Sequence, residues 1–289
     1  MKTAGFCISN GKDFKLSDIK CDDTLHYNDS DRSEVEEEMR SKILEIASLQ
    51  DKLYAQNKNA VLLIIQAMDA AGKDGTIKHV TSGLNPQGCH VTCFKAPSIN
   101  ELDHDYLWRI AKEVPQRGVI GVFNRSHYEE VLVAKVHNLP EKQPLPKNCV
   151  KDDIWEKRCR QINNFERYLF ENGIIPVKIF LHVSKDEQKN RILDRIEDSS
   201  KNWKFSAGDL EERKLWPEYQ SAFEDMIRST STENAPWYVV PADNKWFARA
   251  LVTEILLDTL TKIDPEYPEL PEDQQQLLSH YREVLENKK

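Results

Sequence analysis

The sequence predicts an α/β fold with a central parallel sheet and helices on both faces. Ala60–Ile65 is apolar at every position, which is typical of a strand buried on both faces. Four further segments have strand-like patterns, at 89–94, 119–123, 174–183 and 237–240. Helical patterns separate these segments, and strands that alternate with helices usually form one parallel sheet covered on both sides.

Length and composition indicate a soluble globular protein. The 289 residues are 39% hydrophobic and 30% charged, which excludes disordered and fibrous classes. No apolar run approaches the roughly 20 residues that a membrane span needs. The first residues lack the apolar stretch of a secretory signal. The six cysteines form no C-x-x-C pair. We therefore expect a cytoplasmic protein with no membrane partner.

The remaining elements follow from residue spacing, and residues 1–289 are expected to form a single domain. Residues 1–30 have no sustained period and are predicted to be an extended lead-in. Apolar residues recur every three or four positions over 33–53 and again over 155–169, which predicts two amphipathic helices. Two helices, at 244–262 and 271–288, are predicted to close the chain.

Two cysteines in the strand at 89–94 have two interpretations. Cys89, Val91 and Cys93 share one face of a strand and are predicted to be buried. The weaker alternative is a metal clip formed by the two thiols around His90.

The charge distribution permits a local anion site. The total of −8 includes −6 from residues 20–51 and −5 from residues 254–289, so the remainder carries +3. Acidic ends and a slightly basic middle argue against a broad nucleic-acid surface, so no nucleic-acid partner is expected.

The segment that follows the first strand resembles a phosphate-binding loop, with a tight turn, Gly72-Lys73 and a helix start. Backbone N–H groups at a helix N-terminus bind phosphate, glycine allows close approach, and Lys73 adds a positive charge. Ala67 stands where the usual motif has glycine, and Asp74 stands where it has a hydroxyl, so a simple helix start remains the alternative. The predicted phosphate-binding residues are Ala70, Ala71, Gly72, Asp74, Gly75, Thr76 and Lys78.

Asp69 lies inside this loop, where a bare carboxylate would repel phosphate. Its presence favours a contact with Mg²⁺, directly or through water, or a role as a base. The alternative is an aspartate that only stabilises the turn.

A second polar segment follows the strand at 119–123. In phosphate-loop enzymes this strand usually ends in an acid that holds Mg²⁺. Here it ends in Asn124, which can coordinate through its amide oxygen but brings no charge. Arg125 is placed to bind a phosphate bidentately. Ser126 and Glu129 also fit a helix capping box, the structural alternative. Three residues are expected to line the same crevice: His127, Tyr128 and Glu129.

Residues 184–228 are rich in charge, and we expect them to form a mobile helical lid. Arg191 and Arg195 lie one helical turn apart, so a closing lid would supply both cations to a transferring phosphoryl group. The alternative is a solvated, salt-bridged surface helix. The other basic and aromatic candidates in this segment are Lys201, Trp203, Lys204, Arg213 and Trp216.

Six motifs in order resemble the polyphosphate kinase 2 family, over about residues 33–261. They are QAMDAAGKDGTIKH at 66–79, NPQG at 85–88, FKAP at 94–97, HDYLWR at 104–109, FNRSHYEE at 123–130, and WKFS at 203–206 with Asp209, Arg213, Trp216 and Tyr219.

The resemblance implies a P-loop kinase fold like that of the thymidylate-kinase group, with a helical lid. It implies reversible phosphoryl transfer between inorganic polyphosphate and nucleotides, with Mg²⁺, or Mn²⁺ in its place, and a homo-oligomer. Asn124 followed by Arg-Ser-His-Tyr-Glu is similar to the subgroup that phosphorylates both nucleoside mono- and diphosphates. The implied partners are AMP, ADP, ATP and the guanine analogues.

The family's main phosphate and metal positions match Asp69, Lys73 and Arg125, and the lid cations match Arg191 and Arg195. Asn124 departs from members with aspartate there, so a contact with the metal is only one option at that position. Further residues expected near the nucleotide or the polyphosphate chain are Lys95, Asp105, Arg109 and Arg117. Two alternatives stay open, an ATP-dependent nucleoside monophosphate kinase and a nucleotide-sensing or scaffold protein without activity.

Overall fold

The computed structural model describes residues 1–286, which form one six-stranded sheet flanked by helices. The strands are β1 (Cys7–Ile8), β2 (Ala60–Ala67), β3 (Cys89–Cys93), β4 (Ile120–Asn124), β5 (Ile174–His182) and β6 (Trp237–Pro241). Their order across the sheet is β1-β6-β5-β2-β4-β3. The helices are α1 (Arg32–Gln56), α2 (Lys73–Val80), α3 (Ile99–Leu102), α4 (Trp108–Ala111), α5 (Val133–Val136), α6 (Ile154–Glu171), α7 (Lys185–Glu197), α8 (Ala207–Lys214), α9 (Trp216–Thr230), α10 (Lys245–Ile263) and α11 (Glu272–Glu286).

The five predicted strands are confirmed, with β2 at the centre. Residues 60–65 are fully buried, as expected for a strand covered on both faces. The strand pairs in parallel with β4 on one side and β5 on the other. The apolar run therefore forms the middle of the core.

The two edges of the sheet differ from the prediction. β1, in the lead-in of residues 1–30, pairs antiparallel with β6, so the sheet is mixed rather than wholly parallel. At the other edge, Cys89 on β3 is half-buried but Val91 and Cys93 are exposed, and the predicted burial of these two is wrong because β3 is the edge strand of the sheet. Within residues 1–286, no three or more His, Cys, Asp or Glu side chains cluster as metal ligands.

The helices form two groups. α1 packs along α10, which also contacts α2, β5 and β6. α6 packs on β5 and on α9, which also contacts α5. α9 covers much of the second half of the predicted lid, yet it buries Tyr219, Phe223, Met226 and Ile227 in the core. The expectation of a uniform appendage over 184–228 is therefore wrong for this helix.

The last helix, α11, has no buried residue among those described. Residues 287 and 288 of the helix predicted at 271–288 lie outside the described residues. No helix in the described part of the chain is long and apolar enough to span a membrane.

The connections determine where a ligand can bind. From β2 the chain moves toward β3 and β4, and after β4 it crosses β2 to reach β5 and β6. Ligands of such sheets bind beyond the carboxyl ends of the strands, where the direction of the connections reverses. The loops after β2 and β4 meet at this point.

A fully buried polar network stabilises the second helix group. Lys178 on β5 is 0% exposed and donates to Glu166 at 2.7 Å, to Tyr128 at 2.9 Å and to the Thr230 carbonyl at 2.6 Å. Glu166 also accepts from the Tyr128 hydroxyl at 2.6 Å. Every donor of this lysine therefore has a partner inside the core.

Replacing Lys178 with methionine should destabilise the protein by about 3–5 kcal/mol, because Glu166 would keep a buried charge without its partner. Urea unfolding measures this loss. The matched control is Lys214→Met, since Lys214 pairs with Glu211 in an exposed i,i+3 contact worth at most about 1 kcal/mol. A loss below about 1 kcal/mol for Lys178→Met would contradict this account of the network.

Candidate active site

The loop between β2 and α2 has the backbone of an anion cradle. Ala70 and Gly72 have left-handed φ angles of 62° and 106°. The first intrahelical bond of α2 runs from the Thr76 N–H to the Gly72 carbonyl at 3.0 Å. The N–H groups of Lys73 and the two residues after it therefore have no helical acceptor. These free donors and the helix dipole favour a phosphate at this position.

Lys73 is held beneath the loop. Its Nζ donates to the carbonyls of Ala67 at 3.0 Å and Met68 at 3.2 Å, and lies 3.8 Å from Asp69 Oδ1. Burial lowers the pKa of Lys73, although the negative charge of Asp69 raises it. The side chain is 8% exposed, so its charge is fixed at the loop rather than free in solvent.

Asp69 links the two loops. Its Oδ1 accepts from Arg125 Nη2 at 2.5 Å, and its backbone carbonyl accepts from Gln188 at 3.0 Å. Burial raises the pKa of Asp69, but the charges of Lys73 and Arg125 outweigh it and lower the pKa. Asp69 is therefore ionised at neutral pH.

Arg125 directly follows β4 with a left-handed φ of 63°, and its N–H donates to the Ile65 carbonyl of β2 at 3.1 Å. This backbone turn directs the guanidinium toward Asp69 and to within 3.6 Å of Glu129. Glu129 thus lies beside the phosphate loop, and burial raises its pKa against the opposing charge of Arg125.

Two departures from the usual phosphate-loop enzymes are in contact, Asp74 at the start of α2 and Asn124 at the end of β4. Asn124 Nδ2 donates to Asp74 Oδ1 at 2.8 Å and lies 3.6 Å from the Cys93 sulfur. Phosphate-loop enzymes usually have a carboxylate at the strand end and a neutral hydroxyl at the start of the helix. Here the helix carries the carboxylate and the strand end carries the neutral group.

A crevice of about 560 Å³ opens above the loop. Arg195 lines it and pairs with Asp209 at 2.8 Å, and Trp203, from the predicted lid, is 78% exposed at its rim. Five cationic residues line the crevice: Lys73, Lys95, Arg125, Arg195 and Lys204. The three acidic lining residues are Asp69, Asp74 and Asp209.

Arg191 does not lie where a lid cation was expected. It is 6% exposed and donates to the carbonyls of Ala71 at 2.5 Å, Ala242 at 2.5 Å and Asp243 at 3.1 Å, while Nε bonds Glu187 at 2.7 Å. With every nitrogen engaged, it holds the loop rather than a substrate.

Two other predicted lid residues also make structural contacts. Lys201 pairs with Asp194 and Asp198 on the outside of α7, away from the crevice lining. Arg213 donates to the Lys185 carbonyl at 2.6 Å and to Gln188 at 2.7 Å, and so braces the start of α7.

A second cavity, of about 420 Å³, lies beyond β3 and is lined mainly by apolar groups. Asp105 and Arg109 both line it. Arg109 bonds the Lys95 carbonyl at 2.9 Å, which joins this cavity to the rim of the crevice. Two further residues line the same cavity: Tyr106, quoted above only within a motif, and Arg158, which sequence reasoning missed. The Arg158 guanidinium lies 5.3 Å from the Tyr106 ring.

Three predicted nucleotide-binding residues lie elsewhere, which corrects their assignment. His127 and Tyr128 are 1% and 0% exposed and contact Glu166 in the buried network, because the turn after Ser126 directs them into the core. Arg117 precedes β4, next to the Gly118–Asn59 backbone bond, so it lies at the amino-terminal edge of the sheet. That edge is opposite the crevice.

Sequence reasoning also missed two cations on α10. Arg249 on α10 reaches Gly75, with Nη2 3.3 Å from the position that a side-chain carbon there would occupy. Lys245 lies one turn earlier on the same helix. Their i,i+4 spacing in a largely apolar helix is the signal that could have identified them.

Known proteins are similar to this chain in sequence and in overall fold. The model of the family described as polyphosphate kinase 2 matches residues 29–268. An "ADP-polyphosphate phosphotransferase" of Rhodopseudomonas palustris is 50% identical over 251 residues, 86% of each chain. An "AMP/ADP-polyphosphate phosphotransferase" of Meiothermus ruber is 45% identical over 257 residues, which cover 89% of this chain and 92% of that protein.

Among solved structures, polyphosphate kinase 2 from Arthrobacter aurescens superposes with a TM-score of 0.85 at 39% identity, covering 94% of this chain and 95% of the other. The P-loop kinase fold expected from the sequence agrees with this similarity. The family model covers well over half of the sequence, and the relatives are similar along most of their length. The chain belongs to the polyphosphate kinase 2 family.

Proposed function

We propose that this protein transfers phosphoryl groups reversibly between inorganic polyphosphate and nucleoside mono- and diphosphates, with the help of a divalent cation. The observation that carries the proposal is the cationic crevice at the phosphate loop, beside an apolar cavity at the β3 end of the sheet. A polyphosphate has roughly one negative charge per phosphate and needs cations, whereas a nucleoside needs apolar surface. The names of the relatives from R. palustris and M. ruber support the same reaction.

The protein's own part is to place charge and align the reactants, since phosphoryl transfer asks little covalent chemistry of side chains. Lys73 and the free N–H groups of α2 hold the transferring phosphoryl group. Arg125 lies across the crevice, oriented by Asp69 at 2.5 Å. Arg195 and Lys204 line the crevice on the side of the predicted lid, so positive side chains surround the bound phosphates.

The acceptor nucleoside fits the apolar cavity. Its volume of about 420 Å³ falls in the range of small-molecule sites. Tyr106 and Leu102 supply surface for a base, and Asp105 and Arg109 supply polar contacts. The cavity meets the crevice at Arg109 and Lys95, so the nucleotide's phosphates would extend toward Lys73.

The acidic residues of the crevice suit magnesium. The described residues contain no cluster of three metal-ligating side chains, but Mg²⁺ typically takes one or two carboxylates and completes its shell with substrate phosphates and water. Asp69 and Asp74 are the carboxylates in position, with the Asn124 amide between the two loops. The bound ion would neutralise phosphate charge, and Mn²⁺ prefers the same oxygen ligands.

Asp74 and Asn124 form an exchanged pair in this proposal. Their 2.8 Å contact places one negative charge where phosphate-loop enzymes have one, but on the helix instead of the strand. Asn124 holds Asp74 in place, and Asp74 provides the charge for the cation.

Donor choice tests the proposed function. With ADP as acceptor and Mg²⁺ present, polyphosphate should yield ATP, and with AMP it should yield ADP followed by ATP, as followed by chromatography of the nucleotides. Parallel reactions with ATP as donor to AMP separate this activity from that of a monophosphate kinase. Absence of new nucleotide with polyphosphate, together with transfer from ATP, would contradict the proposal.

Lys73→Met should lower kcat/KM by about 10²–10³-fold, because a fixed charge on the transferring phosphoryl group is lost. Steady-state kinetics measure this, and circular dichroism checks that the variant is folded. The control is Lys58→Met, an exposed lysine that precedes β2 at the opposite edge of the sheet. Retention of more than about a tenth of the activity would remove Lys73 from its assigned role.

Mutation can move the carboxylate of the exchanged pair from position 74 back to position 124. Asp74→Asn should weaken Mn²⁺ binding in the presence of ADP by about tenfold, and Asn124→Asp should place two carboxylates in contact. The double variant Asp74→Asn/Asn124→Asp restores one charge and should recover most of the affinity, as measured by electron paramagnetic resonance of free Mn²⁺. Unchanged Mn²⁺ affinity in Asp74→Asn would exclude a role for this carboxylate in holding the cation.

A further inference from the structure

The side chain of Gln188 joins helix α8 to the phosphate loop. It lies on α7 and is 1% exposed. Its Nε2 donates to the backbone carbonyl of Asp69 at 3.0 Å, and its Oε1 accepts from Arg213 Nη1 of α8 at 2.7 Å. Both ends of one buried amide are therefore bonded, one to the loop after β2 and the other to the predicted lid.

The two partners fix the orientation of this amide. A guanidinium only donates hydrogen bonds, and a backbone carbonyl only accepts them. Arg213 therefore requires the amide oxygen on its side, and the Asp69 carbonyl requires the amide nitrogen on the other. If the amide were turned, donor would face donor at one end and acceptor would face acceptor at the other. Glutamine fits because its two ends differ, whereas a glutamate would offer an acceptor to both partners.

The carbonyl that Gln188 holds belongs to a peptide unit that needs support. The Asp69 carbonyl and the Ala70 N–H lie in one planar unit. Ala70 has a left-handed φ of 62°, a conformation that is unfavourable for alanine. A buried hydrogen bond to this carbonyl holds the unit in place. Arg191 bonds the Ala71 carbonyl, so two side chains of α7 hold neighbouring parts of the loop.

The same residue carries the carboxylate that organises the crevice. Asp69 accepts from Arg125 at 2.5 Å and lies 3.8 Å from Lys73 Nζ. Because the backbone and the side chain of Asp69 share one Cα atom, a shift of the peptide unit moves the carboxylate as well. A misplacement of about 1 Å can cost roughly 100-fold in rate. The bond from Gln188 therefore bears on the chemistry, although Gln188 itself is buried.

Helix α8 is held where it can control this amide. Arg213 Nη1 also donates to the Lys185 carbonyl at 2.6 Å, and Asp209 of the same helix pairs with Arg195 at 2.8 Å. Asp209 and Arg195 line the crevice, so a ligand that contacts them acts on the helix that supplies Arg213. The position of α8 and the orientation of the amide are thus linked.

We propose that Gln188 is a positioning residue for phosphoryl transfer, which fixes the Asp69 peptide unit and takes its own orientation from Arg213. This inference rests on the proposed function and adds a residue that acts through Asp69 without touching a substrate. The phosphate loop is then best ordered when α8 is docked on α7. Loss of the donor at position 188 should lower the rate of transfer more than it weakens substrate binding.

Gln188→Glu tests the role, because it keeps an acceptor for Arg213 and removes the donor to the Asp69 carbonyl. With polyphosphate and ADP, kcat should fall by about tenfold or more, while KM for ADP should stay within about threefold of wild type. Amide hydrogen exchange of the protein without substrate should be faster by about tenfold over residues 66–76, since the loop opens more often. Steady-state kinetics and mass spectrometry measure the two effects.

The matched control is Gln50→Glu. Gln50 on α1 is also 1% exposed, and its amide donates to the Asn85 carbonyl at 3.0 Å and accepts from the Asn85 N–H at 2.8 Å. Asn85 precedes β3, at the edge of the sheet opposite the crevice. This variant also turns an acceptor toward a backbone carbonyl and should lower Tm. Its kcat and its exchange over 66–76 should stay within about twofold of wild type.

Two results with Gln188→Glu would overturn the proposal. One is a folded variant with wild-type kcat, whatever its Tm. The other is a lower kcat with wild-type exchange over 66–76, because the loss would then not pass through the loop.

Arg213→Met gives a second test in case Gln188→Glu does not fold, since Arg213 is only half-buried. The unoriented amide should lower kcat by about threefold or more and speed exchange over 66–76, whereas Arg213→Lys keeps a donor and should retain more than about half of kcat. Lys214→Met, at an exposed position of the same helix, is the control and should match wild type. Wild-type exchange over 66–76 in Arg213→Met would overturn the link to α8.

Failure of the proposed function has a different signature. Wild-type protein that transfers nothing from polyphosphate to AMP or ADP would refute the function. The exchange measurement uses no substrate, so it still tests the contact in that event. Equal exchange over 66–76 in wild type and Gln188→Glu would refute the positioning role, and faster exchange in the variant alone would support it.

Discussion

The site depends on the guanidinium of Arg191, which joins the phosphate loop, the turn after β6 and helix α7. Its nitrogens bond carbonyls at Ala71 and at the turn 242–243, and a carboxylate on its own helix. A phosphate loop must present N–H groups inward, so its carbonyls point outward and need buried donors. Arg191 satisfies them and thereby orders the cradle before any ligand arrives. The sequence alone suggests that Arg191 could bind a ligand, but in the structure its charge is used to hold the loop.

The charges of the crevice are arranged in the same way. Asp69 holds Arg125, Asn124 holds Asp74, and Asp209 holds Arg195, so these polar groups of the crevice have fixed partners. Such preorganisation reduces the reorganisation needed during transfer. The apolar cavity then extends this core on the side of β3, where its surface suits a nucleoside.

How much the sequence could predict depended on whether the signal was local. The strand 60–65 and the loop after it have short-range signatures, and the structure has the strand, the tight turn and the helix start where they were predicted. The burial of Arg191 but not Arg195 depends on packing between distant segments, and the burial of His127 and Tyr128 depends on the turn after Ser126. Residues 184–228 are highly charged on average. This composition concealed the apolar residues that recur at helical spacing along one side of α9.

The exposed thiol of Cys93 has a practical consequence. It stands on an edge strand at the mouth of the crevice, is a free thiol, and lies 3.6 Å from the Asn124 amide, so a label there would sit beside the exchanged pair. A fluorophore coupled to this sulfur would lie in the same crevice as Trp203. Quenching of its emission by the Trp203 indole would then report how far the crevice opens when substrates bind and leave.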